Sequence, residues 1–272
     1  MNRIPLLFDQ LKKMHQKALI GFVTAGDPDM DTSFLICRSM CQSGLDLLEL
    51  GIAFSDPTAD GPVIQRSSSR ALQQGVTPAA VIELVTRLRQ DIDTPIVLFT
   101  YYNPILAYGI RRFYRDAVAA GADGVLIVDL PPEESKEMTD QWPVPSLLSL
   151  IRLIAPTTPD ERIRTIAAQA DGFLYLVSKT GVTGSNGLDS DVVDMNVRRI
   201  RAYTSLPVCV GFGVNTPQDV SRIARHADGV VIGSAFERTI EKGVMEQEID
   251  RLPDQLAAQT RAYKEATAMI PQ

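Results

Sequence analysis

The sequence predicts a closed (β/α)8 barrel, an α/β fold with an extra N-terminal helix, laid out as one domain over residues 1–272. Three observations carry that expectation. Eight short apolar runs recur along the chain, each followed by a turn and a helical pattern. Most of these runs are β-branched and continuous rather than alternating, as in parallel strands covered on both faces. Three strand entries repeat one phrase, Ala122-Asp123-Gly124, Ala170-Asp171-Gly172 and Ala227-Asp228-Gly229, with Gly44-Leu45-Asp46 a looser relative.

Taken in order, Met1 to Ala18 is amphipathic and supplies the extra helix, with Asp9, Lys12, Lys13 and Lys17 on its polar side. The expected strands are 18–24, 45–51, 95–102, 124–130, 146–155, 172–178, 207–213 and 229–234, the fifth being the least defined. Helix starts are signalled by Thr158-Pro159-Asp160-Glu161 and Thr216-Pro217-Gln218-Asp219. The competing fold is a doubly wound open sheet. It calls for a Gly-rich dinucleotide turn after the first strand, and Gly21-Phe22-Val23-Thr24-Ala25-Gly26 does not fit that fingerprint. In the barrel, function belongs at the C-terminal ends of the strands.

Composition narrows the class. The chain is 45% hydrophobic and 22% charged, as in ordinary globular proteins, and its net charge of −6 argues against nucleic acid or an anionic membrane as partner. No apolar run approaches the length of a membrane span, and the N-terminus lacks the apolar core and cleavage site of a signal peptide. Cys37, Cys41 and Cys209 form no paired framework, which suggests a reducing compartment, and the expected location is cytoplasmic. With only His15 and His226, neither near a cysteine pair, a His/Cys metal site is not expected.

Residues 49–65 are the most informative stretch. Glu49 closes an otherwise apolar strand, and a loop bracketed by Pro57 and Pro62 carries Asp56 and Asp60. A carboxyl buried among leucines is costly, and its pKa rises toward the range a general acid needs near neutral pH. Strand alternation puts Leu47, Glu49 and Gly51 on one side and Leu48 and Leu50 on the other. The leucines suit the helix layer, so Glu49 should point into the barrel mouth. Asp60 can fold back over that mouth, or instead cap the helix that starts near Pro62. Asp56 reads equally well as a turn residue.

Glycine-bearing segments follow strands six, seven and eight: Gly181-Val182-Thr183-Gly184-Ser185, Gly211-Phe212-Gly213-Val214 and Gly233-Ser234-Ala235. Glycines let backbone N–H groups crowd an anion, and the helix beginning near Ala235 offers its positive end, so a small phosphorylated substrate is indicated. Phe22, Tyr102, Tyr175 and Phe212 would supply flat apolar surface for an aromatic substrate. Lys179, just past the sixth strand, raises the alternative of Schiff-base chemistry, although its polar setting suits a solvated side chain better.

At these residues the chain resembles the tryptophan synthase alpha chain family. The resemblance rests on Gly21-Phe22-Val23-Thr24-Ala25-Gly26-Asp27-Pro28, Glu49-Leu50-Gly51, Phe54-Ser55-Asp56-Pro57, Ala59-Asp60-Gly61-Pro62-Val63-Ile64-Gln65, Thr100-Tyr101-Tyr102-Asn103-Pro104, Leu153-Ile154-Ala155-Pro156-Thr157-Thr158, Gly181-Val182-Thr183-Gly184 and Gly211-Phe212-Gly213-Val214. It implies a cofactor-free retro-aldol cleavage of indole-3-glycerol phosphate to indole and glyceraldehyde 3-phosphate. The family's acid–base glutamate falls on Glu49, its indole-N–H-binding aspartate on Asp60, and its loop threonine on Thr183. Its phosphate-binding glycines and serine fall on Gly184, Gly213, Gly233 and Ser234.

The same resemblance implies a beta-chain partner in an αββα complex, with pyridoxal phosphate only in that partner. The chain departs from the family pattern at Ala53 and Thr58, where proline and leucine are usual, and at Lys179 and Thr180, where arginine and alanine are usual. In the family the segment holding Ala53, Asp56 and Thr58 faces the beta chain, so the first two changes bear on that contact more than on the chemistry. The alternatives are a stand-alone lyase and a weakly active chain that binds and activates a beta partner.

Overall fold

In a computed structural model, which describes residues 2–177, 190–211 and 213–268, eight parallel strands close into a barrel in sequence order. The strands are β1 (Ala18–Thr24), β2 (Leu47–Gly51), β3 (Ile96–Thr100), β4 (Gly124–Ile127), β5 (Ser149–Ile154), β6 (Leu174–Val177), β7 (Val208–Gly211) and β8 (Gly229–Ile232). Around them lie α1 (Arg3–Lys13), α2 (Met30–Gln42), α3 (Pro62–Gln73), α4 (Pro78–Leu88), α5 (Tyr102–Tyr108), α6 (Ile110–Ala120), α7 (Lys136–Thr139), α8 (Asp160–Ala168), α9 (Ser190–Arg201), α10 (Pro217–Ala224), α11 (Ser234–Met245) and α12 (Leu252–Ala268). Each expected run contains its strand, but most strands are shorter, because the run's end residues turn into loops.

Two apolar clusters follow from the strand alternation. Leu48, Leu50, Leu98, Val125, Leu150 and Val210 face outward to the helices. Ile20, Leu47, Val97, Leu126, Ile151, Phe173 and Val231 fill the interior, where Ile4, Phe8 and Leu11 of α1 join them. The extra helix thus lies across the N-terminal mouth. Phe8 packs against Phe173 with ring centroids 5.7 Å apart. Asn2 caps α1 by accepting from the Ile4 N–H, and its amide donates to the Asp123 carbonyl (2.7 Å).

The repeated aspartates have a structural duty. The Asp46 carboxylate accepts from the Leu19 N–H, Asp123 from the Ile96 N–H and Asp228 from the Val208 N–H. Asp171 accepts from the Ser149 hydroxyl on the strand before it. Each aspartate precedes an even-numbered strand and holds the start of its odd-numbered neighbour, satisfying a donor at the barrel's base.

Of the two expected helix starts, Thr216 forms a capping box with Asp219 on α10. The other lies one residue further on: Pro159 is the N-cap of α8, and the Thr158 hydroxyl instead accepts from the Ala155 N–H. Cys37 and Cys209 are buried, Cys41 is partly buried, and all three are free. Among the described residues, no helix is long and apolar enough to cross a membrane.

Candidate active site

Glu49 sits at the C-terminal end of β2 and is 1% exposed. It points inward, as its alternation with Leu48 and Leu50 requires. Neither carboxyl oxygen has a hydrogen-bond partner among the described residues. Burial pushes its pKa up to about 8, and among the described residues no cation beside it favours the charged form. A carboxyl in that state is protonated at neutral pH and ready to give its proton away.

The pocket above Glu49 is lined by Phe22, Asp60, Ile64, Phe99, Tyr175, Gly213, Val231, Gly233 and Ser234, among others. Its cavity volume is about 120 Å³, and it opens to solvent at the barrel mouth. The rings of Phe22 and Phe99 meet edge to face, with centroids 5.1 Å apart, forming an apolar wall. Tyr175 is buried beside Glu49, and both desolvation and that carboxyl raise its pKa. Its hydroxyl occupies the space opposite Gly211, where any side chain would collide with it.

Asp60 does not cap α3. Gly61 is the N-cap, with Pro62 in the first turn and no side-chain cap bond. The Asp60 side chain turns into the pocket instead, half-buried. Burial raises its pKa to about 6, and a hydrogen bond from Tyr101 offsets part of that rise. At neutral pH the mouth therefore holds an ionised Asp60 and a protonated Glu49. Two carboxyls whose environments push their pKa values apart can divide proton donation and cation stabilisation between them.

Tyr102 is not part of this pocket. Val97 and Phe99 face inward on β3, so the pleat carries Tyr101 inward and Tyr102 outward. Tyr102 opens α5 and packs against the outer apolar cluster. Tyr101 borders the adjoining space with Phe22, Asp60 and Phe99: its hydroxyl accepts from the Ala59 N–H (3.0 Å), and its ring packs on Phe54. Counting the pleat onward from Val97 would have identified Tyr101. Phe99 was equally readable, as the last inward residue of its strand.

On the far side of the pocket, α11 begins at Ser234 after Gly233, with no side chain capping its first N–H groups. Gly213, at φ +77°, brings backbone to the same side. Such free N–H groups and the positive helix end suit an anion. Asp56 and Thr58 are exposed, and with Phe54, Ser55, Pro57 and Gln65 they line a separate surface groove, while Ala53 packs against the outer core. Thr183, Gly184, Phe212, Lys179 and Thr180 lie outside the described residues. Among the described residues no group of three or more His, Cys, Asp or Glu is placed to hold a metal ion.

Comparison with known proteins gives one answer. The profile of the family described as tryptophan synthase alpha chain matches residues 8–268. The tryptophan synthase alpha chain of Desulfosudis oleivorans is 58% identical over 99% of this chain and 100% of its own length. That of Desulfatibacillum aliphaticivorans is 59% identical over 90% of this chain and 92% of its own. Among solved structures, tryptophan synthase subunit alpha of Legionella pneumophila superposes with a TM-score of 0.90 at 36% identity, covering 99% of this chain and 100% of that one. A chain of Mycobacterium tuberculosis tryptophan synthase gives 0.88 at 32% identity, with 99% of both chains covered. Barrel, pocket and matches along nearly the whole length agree: the chain belongs to the tryptophan synthase alpha chain family and is a lyase of tryptophan biosynthesis.

Proposed function

We propose that Glu49 is the general acid and base, and Asp60 the group that holds the indole N–H, in the retro-aldol cleavage of indole-3-glycerol phosphate to indole and glyceraldehyde 3-phosphate. The observation that carries this reading is the buried, unpartnered Glu49 at the floor of a pocket whose rim holds Asp60. The Glu49 carboxyl gives its proton to C3 of the indole, and positive charge develops toward the ring nitrogen. Asp60 accepts the ring N–H and stabilises that charge. The bond from C3 to the side chain then breaks, its electrons returning to the ring. The resulting Glu49 carboxylate takes the proton from the adjacent hydroxyl, which becomes the aldehyde. Glu49 ends as it began, and the indole ring serves as the electron sink, so the reading calls for no cofactor in this chain.

Phe22, Phe99 and Tyr175 flank the indole ring in this reading. Gly213, Gly233 and Ser234 hold the phosphate, while Gly184 and Thr183, which lie outside the described residues, are assigned to the site by the family resemblance alone. The groove around Asp56 and Thr58 faces a beta chain in an αββα complex, to which indole passes and which holds pyridoxal phosphate. Likeness to a chain of the M. tuberculosis tryptophan synthase supports that partner.

The test is release of indole or triose phosphate from indole-3-glycerol phosphate, with and without a matching beta chain. Release that rises with the partner and is lost in Glu49→Gln is the expected result. Full activity in Glu49→Gln would sink the assignment, and strong activity indifferent to partner would favour a stand-alone lyase.

A further inference from the structure

Glu237 lies one turn into α11, the helix whose start faces the pocket, and it is completely buried. Its Oε1 accepts from the Thr24 N–H at 2.6 Å, at the C-terminal end of β1. Its Oε2 has no hydrogen bond from a donor, and the Asp27 carboxyl is near enough to interact with it. The surrounding charges are already matched. Arg70 grips Asp27 with two bonds (2.8 and 2.7 Å) and reaches Glu241, and Arg66 grips Glu241 with two more. Two guanidiniums thus serve two carboxylates, and Glu237 is the third acid of the cluster. Arg70 also acts on Glu237 through space and pulls its pKa down, and Cys37 on α2 is a further titratable neighbour that burial keeps protonated. From α12, Tyr263 packs on Phe236, the residue before Glu237.

We infer that Glu237 is a positioning residue for the substrate phosphate: buried behind the start of α11, it ties the first turn of that helix to the end of β1. The inference rests on the reading above in which Gly233 and Ser234 hold the phosphate. A negative charge in that first turn would oppose a dianion at the helix end, since both compete for the same positive dipole. Burial and the neighbouring Asp27 push the Glu237 pKa up to about 8, so the acid stays neutral at neutral pH. Above that pH it ionises, and phosphate affinity falls. Because Glu237 is not among the groups that shift Glu49, its effect falls on KM and on the binding of phosphorylated analogues, while loss of the Glu49 proton falls on kcat.

Binding of glycerol 3-phosphate to the intact chain, measured by calorimetry from about pH 7.5 to 9.5, tests this, since the ligand is already a dianion there. The wild-type Kd is expected to rise about three- to tenfold, within the tenfold per pH unit that loss of a neutral form allows. Glu237→Gln, which keeps the acceptor for Thr24 and adds no charge, should vary less than about twofold across the same range. Glu237→Leu should also be flat but weaker than Gln throughout, having lost the tie to Thr24. A Gln variant with the wild-type pH profile overturns the charge argument. Equal affinity of the Leu and Gln variants at pH 7.5 overturns the positioning role. Undiminished binding by Ser234→Ala is the separate result that would remove the phosphate assignment itself.

Discussion

Phe22 and Glu49 are register partners on adjacent strands, so an aromatic ring and a buried carboxyl stand at one level of the barrel interior. The ring helps keep water from the carboxyl, and desolvation is the cause that holds Glu49 protonated. In the proposed mechanism that proton is first given to the indole and then replaced from the hydroxyl. Glu49→Gln should therefore lower kcat by at least about a thousandfold, with the Kd for substrate changed little, as for removal of a group acting chiefly in the transition state. Single-turnover kinetics and equilibrium binding would separate the two effects.

The pH profile follows from the two carboxyls. Glu49 must start protonated, so activity falls as pH rises through about 8. Asp60 must be ionised to accept the ring N–H, so activity falls as pH drops through about 6. A bell with its plateau between those values is expected for kcat/KM. In Asp60→Asn the Asp60 part of the acid limb should vanish, and kcat should drop about a hundredfold. Any acid limb that persists belongs to the substrate phosphate.

Burying Glu49 also destabilises the fold. Its pKa is about 8 folded against 4.5 for the ordinary carboxyl, so the folded state holds the extra proton between those values. Stability from this group is complete below about pH 4.5 and is lost as pH rises to about 8, by up to roughly 3 kcal/mol at pH 7. The denaturation free energy of Glu49→Gln minus that of the wild type should grow over this range and level off above it. A difference independent of pH would contradict the assigned burial.

Gly51 tests the aromatic wall. A Cβ there would sit 2.7 Å from Cζ of Phe22, a contact that forces the ring toward the pocket. Gly51→Ala should raise the Kd for indole about tenfold while leaving glycerol 3-phosphate binding nearly unchanged, at a stability cost of about 1–3 kcal/mol. Equal weakening of both ligands would place the damage elsewhere.

Arg70 is the pivot between the β1 end and the α3–α11 pair. Asp27 is fully buried at its side chain, and Arg70 is its bidentate partner. Arg70→Met strands that carboxyl in the interior and should cost about 3 kcal/mol in chemical denaturation, less whatever protonation of Asp27 recovers. The added variant Arg70→Met/Asp27→Asn should regain part of the loss.

The barrel and Glu49 were legible because strand alternation is local, and an acid among leucines breaks its pattern within six residues. Reading the apolar run 95–102 as one strand put Tyr102 at its end, whereas β3 stops at Thr100 and Tyr102 opens a helix. The aspartates before even strands were visible as a repeat, but their bonds to preceding strands needed the closed sheet. Glu237 gave no local signal. One turn into an amphipathic helix it reads as surface charge, and its bond to Thr24 spans 213 positions.

The helix laid across the barrel's base makes the vessel blind-ended. Beneath Glu49 the bore is filled by Leu47, Ile20, Val97 and Phe173, and below them by Ile4 and Phe8. Among the described residues the floor gives an apolar molecule at Glu49 no way through. In the proposed reaction substrate and indole therefore share the mouth above Glu49, and a partner docked there would govern entry and exit together.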